Sequence, residues 1–128
     1  MTPDELAARF EHAAAKLGPA IERGVRHTGE LGIARIRGNA SGRPGPNVIT
    51  GAYRNSWRAE TSRLPHGALC TIGTDLPYGR RLEFGFTGTD SLGRNYAQPP
   101  FAHVQPALGF IEMTLMSQMR FALAEVLL

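Results

Sequence analysis

Apolar residues recur at helical spacing from the start of the chain. Leu6, Phe10, Ala13, Ala14 and Leu17 fall on one face, opposite Arg9, Glu11 and Lys16, which predicts an amphipathic helix. Thr2-Pro3-Asp4-Glu5 reads as its capping box: Thr2 accepts from the backbone of Glu5, Pro3 sits where no N–H is needed, and Glu5 reaches back. Gly18-Pro19 interrupts the pattern and predicts that the helix is kinked or split there. Beyond it, Ile21, Val25, Gly32 and Ile36 make a second, narrow apolar stripe, with Glu22, Arg23, Arg26, Glu30 and Arg37 on the other side. Gly24, Gly29 and Gly32 each cost this stretch about 1 kcal/mol of helix propensity relative to Ala, so it must lean on tertiary packing.

Residues 38–51, GNASGRPGPNVITG, are predicted to be an extended loop from their glycines and prolines. The periodicity then changes to that of strands. A stretch around Trp57–Leu64, a Pro65-His66-Gly67 turn and Ala68–Gly73 predict a β-hairpin. Residues 86–100, FTGTDSLGRNYAQPP, read as a second long loop, of a length that is usually functional or ordered by a partner. From near Pro106 to the C-terminus a long helix follows. Its polar residues Thr114, Ser117, Gln118 and Glu125 cluster on one side. The apolar arc carrying Leu108, Ile111, Leu115, Met116, Met119, Ala122, Leu123 and Val126 is broader than the ~100° stripe of an ordinary surface helix. Such a helix is either deeply buried or shared with a neighbouring subunit, and Met116 and Leu123, close together on the arc, are the candidate subunit contacts. The expected fold is α+β: kinked or split N-terminal helix, small antiparallel hairpin or sheet, long C-terminal helix.

Composition narrows the class. A chain of 128 residues has room for one domain, residues 1–128, and its 42% hydrophobic and 20% charged content is that of a folded protein. Apolar stretches are broken by Glu, Gln or Arg before they reach the ~20 residues of a membrane span, and the acidic, amphipathic start is unlike a signal peptide, so synthesis in a cytoplasm is expected. Cys70 is alone, which excludes an intrachain disulfide and a Cys-based metal site. The net charge of +3 is small and spread from Arg9 to Arg120, a weak footprint for sequence-specific DNA binding.

Catalytic and ligand motifs fail on spacing. The loop lacks a G-x-x-x-x-G-K-[ST] phosphate cradle, and Ser41 has Gly three rather than two positions before it, unlike a nucleophile elbow. His12, His27, His66 and His103 are expected on different elements with no His partner at helical spacing, which argues against a metal centre. Ser56, His103 and Asp75 or Asp90 make a triad only on paper. Glu83 paired with Asp75 or Asp90 is a poor general acid, because Arg80 and Arg81 beside it would hold it ionised. No catalytic residue, metal or cofactor is expected.

Two stretches resemble a known family. Thr50-Gly51-Ala52-Tyr53-Arg54-Asn55-Ser56-Trp57 looks like a "TG-x-L-R-x-S" signature, and Gly73–Gly85, GTDLPYGRRLEFG, resembles "pYA-x-x-x-E-f-G-t". With a Gly-rich loop and a "P-f-x-x-P-A-l" helix entry at Pro100-Phe101 to Pro106-Ala107-Leu108, the order is similar to the gp-ten-like tail-component family of long-tailed bacteriophages. Tyr53 in place of Leu and Gly79 in place of Ala are departures. The matching residues are Thr50, Gly51, Arg54, Ser56, Tyr78, Glu83 and Gly85. The resemblance implies a minor structural virion protein of the head–tail junction, a neck or tail-completion protein and not an enzyme. It further implies a ring of copies around the DNA channel, touching connector or tail proteins and, non-specifically, the DNA. A small basic nucleic-acid-binding protein is the alternative from another class.

Glu83 itself reads as a structural carboxylate that fixes the segment after the hairpin, half-buried and satisfied by arginine. Arg80, three residues before it, is the local candidate partner; a loop or another subunit would supply a stronger one. Tyr78 and Leu82 share one face of a short helix that Gly85 ends in a left-handed conformation.

Overall fold

A computed structural model describes residues 1–127. The chain runs through α1 (Pro3–Asn39), α2 (Ala52–Ser56), β1 (Arg58–Leu64), β2 (Gly67–Gly73), α3 (Gly79–Phe84), β3 (Phe86–Thr89), β4 (Asn95–Gln98) and α4 (Gln105–Leu127), an α+β fold. No described helix is long and apolar enough to cross a membrane.

The capping box at the start of α1 forms as expected. The Glu5 amide donates to Thr2 Oγ1 at 3.1 Å, and the Thr2 amide donates to Glu5 Oε2 at 2.9 Å. The break at Gly18-Pro19 does not split the helix: α1 is continuous over 37 residues. One carbonyl loses its donor at Pro19, but the residues just after it, Ala20 and Gly24, are buried, and packing on both sides of the proline holds the helix together.

The buried row of α1 keeps Gly32 and Ile36 of the expected stripe but not Ile21 and Val25. Ala20, Gly24, Thr28, Gly32 and Ile36 are buried four residues apart, while Ile21 and Val25 are only half-buried. Small residues win because they let backbones approach. A methyl group on Gly24 would stand 2.9 Å from Met119 of α4, and one on Gly32 would stand 3.1 Å from Ile111 of α4 and 3.2 Å from Ile72 of β2. The Thr28 hydroxyl is satisfied within the helix, donating to the Gly24 carbonyl at 2.8 Å.

β1 and β2 form the expected antiparallel hairpin, Arg58 opposite Gly73 and Leu64 opposite Gly67, joined by Pro65-His66. Residues 86–100 are not a loop throughout. β3 and β4 pair antiparallel from Phe86 opposite Gln98 to Thr89 opposite Asn95. Asp90 organises their turn, its Oδ1 accepting from the amides of Leu92 (2.9 Å) and Arg94 (2.8 Å). Two four-residue strands, one interrupted by Gly88, are too short to show an alternating pattern.

The core is a cluster of Ile33, Ile36, Trp57 and Ala107, with Tyr53, Ala59, Ile72, Val104 and Ile111 packed against it. It therefore lies where the C-terminal half of α1, the first hairpin and the entry to α4 meet. Cys70 is a half-buried strand residue that packs by its sulfur near Gly29 of α1. Cys70→Ala should change stability by no more than about 1 kcal/mol and leave any assembly intact, as read by thermal melts with and without reductant.

Candidate functional site

The three stretches that carry the family resemblance, far apart in sequence, converge at one end of α1. The first opens at Thr50, whose hydroxyl accepts from the Ala52 amide at 3.2 Å, and at Gly51, which takes the left-handed φ of 83° that starts α2. α2 then carries Tyr53, Arg54 and Ser56. The Ser56 hydroxyl donates to the Tyr53 carbonyl and accepts from Thr74, tying the end of α2 to the residue after β2. Arg54 reaches out to Ser41 Oγ at 3.5 Å, a weak contact.

The second stretch forms α3. Tyr78 caps it and leans on Tyr53, ring centroids 5.4 Å apart. Gly85 ends it with a φ of 80°, its amide donating to the Arg81 carbonyl at 2.8 Å. Any side chain there would meet the Gln98 carbonyl at 2.7 Å, so Gly85 lets α3 turn tightly into β3 beneath β4.

Glu83 does not pair with Arg80. It is 8% exposed, and its carboxylate accepts from three consecutive backbone amides: His103 (2.8 Å) and Val104 (3.0 Å) on Oε2, and Gln105 (2.8 Å) on Oε1. These are the orphan donors at the N-terminus of α4, and an anion there also meets the positive end of the helix dipole. Burial by itself pushes the carboxyl up, but the amides of His103, Val104 and Gln105 together outweigh it and hold Glu83 below the usual carboxylate range. Arg81, the other expected neighbour, lies instead over the Phe86 ring at 3.8 Å.

His103 completes the knot. It is fully buried, and its Nδ1 donates to the Phe101 carbonyl at 2.8 Å while lying 3.0 Å from Glu83 Oε2. With two acceptors at Nδ1, the proton belongs there, and Nε2 accepts from the Tyr53 hydroxyl. Burial, helped by the nearby Glu83 and Tyr78, pushes Tyr53 up to about 12, so the phenol keeps its proton and remains the donor. Trp57 packs edge-on to both rings, 6.1 Å from Tyr53 and 5.7 Å from His103. The carbonyl of His103 accepts from Asn39 at 3.0 Å, locking the knot to the end of α1.

The paper triad is not assembled. Ser56 is bonded to Tyr53 and Thr74, His103 Nε2 faces Tyr53, Asp75 is exposed, and Asp90 is used up in its hairpin turn with Arg94 and Tyr96. His12 and His27, expected on separate elements, share α1 because that helix is unbroken, but stand too far apart along it to act together. Tyr53 and His103 were not among the expected site residues. The signal for His103 was its position just before the α4 entry, where amides need an acceptor; that Glu83 would supply it from another element is not visible in a linear pattern.

Above the knot lies a groove of about 520 Å³, lined by Arg43, Ile49, Thr50, Gly51, Arg54, Tyr78 and Leu82 among others. The Arg43 guanidinium stacks over Phe101 at 3.7 Å, and Ile49 is 93% exposed. Four of the motif residues, Thr50, Gly51, Arg54 and Tyr78, thus face this groove, whereas Ser56, Glu83 and Gly85 build the frame beneath it. Met116 and Leu123 are on the far part of α4, 51% and 48% exposed. Compared with known protein families, curated proteins and solved structures, the chain matches none of them.

Proposed function

We propose that this protein is a structural component of the virion of a long-tailed bacteriophage, acting at the head–tail junction as a neck or tail-completion protein and assembling as a ring around the DNA channel. The observation that carries this reading is the amount of surface left uncovered. A folded monomer of 13.9 kDa should expose about 6,700 Å². This chain exposes 8890 Å², with Phe10, Leu108, Met113, Met116, Phe121 and Leu123 each close to half exposed or more. The difference is of the order of a large obligate interface, as expected of a subunit whose final surroundings are other protein. The motif residues Thr50, Ser56 and Glu83 support the same reading, since their side chains are engaged in holding α2, the end of β2 and the α4 entry in place.

The test is incorporation. Phage deleted for this protein should accumulate filled heads and separate tails, seen by electron microscopy, and supplying the protein should restore joined particles. Normal joining without it would remove the neck assignment and turn attention to the alternative, a basic nucleic-acid-binding protein, whose mark is steep salt dependence of binding to free DNA.

A further inference from the structure

The apolar row of α1 continues, exposed, past the level of the last described turn of α4. α4 begins beside Asn39 and runs antiparallel to α1, with Ile111 against Gly32 and Met119 against Gly24. At 1.5 Å per residue its last described turn reaches about the level of Lys16. Every residue from Met1 to His12 is exposed. Yet Leu6 and Phe10 stand in helical register with the buried Ala13, Ala20 and Gly24, and they are 44% and 60% exposed. These first turns extend a continuous helix, and their apolar seam has no described element beside it.

α4 carries the complementary face. Beside the side it turns to α1, Leu115, Met116 and Leu123 form an exposed apolar stripe at 38%, 51% and 48% exposure. Glu112 lies within that stripe, and Arg9 flanks Leu6 and Phe10 on α1. Both are exposed, and neither has an ion-pair partner among the described residues. Two uncovered seams of opposite flanking charge thus occur on different parts of the same chain.

We propose that the projecting first turns of α1 in one copy pack along the Leu115–Met116–Leu123 face of α4 in the next copy, with Leu6 and Phe10 inserted and Arg9 on Glu112. Each copy then gives one face and receives on another. Such a heterologous contact repeats from copy to copy and closes into a ring when the rotation allows. The inference deepens the ring reading above and rests on it for closure alone.

Two full-length variants test it: Leu6→Asp with Phe10→Asp, and Met116→Glu with Leu123→Glu. All four side chains are exposed, so both variants should keep the wild-type circular dichroism. Each alone should associate about a hundredfold or more weakly than the wild type and run as a monomer in light scattering. An equimolar mixture holds one intact pair of faces, so it should form a dimer and nothing larger. In addition, Arg9→Glu and Glu112→Arg should each weaken wild-type assembly, and the two combined in one chain should restore it. A mixture that stays monomeric, a variant that assembles like the wild type, or a wild-type chain that is monomeric at every concentration overturns the proposal. Assembly through other faces would leave the head–tail reading standing. Assembly through these faces, in a phage that joins normally without the protein, would leave the contact standing and remove that reading.

Discussion

Glu83→Ala is expected to destabilise the fold by about 2–4 kcal/mol at neutral pH, because it strands three buried amides and removes the anion from the start of α4. Glu83→Gln should lose less, since one amide oxygen can still accept. The effect has a pH signature. The folded state holds the Glu83 carboxyl below its ordinary 4.5, so the stability it contributes is fully present above that value and is lost as pH falls through the lower, folded one. The gap between wild type and variant in urea denaturation should therefore be widest at pH 6–8 and narrow steadily in acid, from about 4.5 downward. On the alkaline side the sign reverses: Tyr53, raised from 10.0 to about 12, contributes stability that is complete below 10 and lost as pH rises through 12. A Glu83→Gln protein whose acid limb matches the wild type would show that the amides are satisfied by something else.

Trp57→Ala should cost about 3–5 kcal/mol, the range for deleting a large buried ring from a site that cannot collapse. The ring is 7% exposed, sits in the cluster with Ile33, Ile36 and Ala107, and meets Tyr53 and His103 edge-on. Trp57→Phe is the informative companion. It keeps an aromatic ring and removes an indole N–H that makes no well-formed hydrogen bond among the described residues, so its cost should stay near 1 kcal/mol. Equal losses in the two variants, measured by denaturant midpoint, would mean that packing volume is not what Trp57 contributes.

Elements with a local cause were legible in the sequence. The capping box at Thr2–Glu5, the Pro65-His66 turn and the left-handed Gly85 each follow from residues within a few positions of one another, and all are present. What escaped depends on partners distant in the chain. Continuity through Pro19 is enforced by packing on both sides of it, and the buried row of α1 runs, besides the expected Gly32 and Ile36, through Gly24 and Thr28, which no hydropathy scale marks as core. The second hairpin has strands of four residues each, shorter than the pattern that would betray them. Glu83 stands out in the sequence as a carboxylate beside arginines, whereas the amides it accepts from lie twenty residues on, beyond any local pattern. Its chemistry was readable, whereas its partner was a matter of topology.

The long pairing of α1 with α4 also sets the order in which the molecule can come into being. The two helices stand at opposite ends of the sequence, and the Arg23–Glu125 bridge spans 102 positions. During synthesis α1 leaves the ribosome before α4, and the part of its row that faces α4, around Gly24, stays uncovered while both hairpins are made. The core cannot close until α4 has emerged, so most of its loop-closure entropy falls on one late step. Until that step the nascent chain leaves the α4-facing side of α1 open to water, which is the kind of surface that makes incompletely folded chains prone to stick.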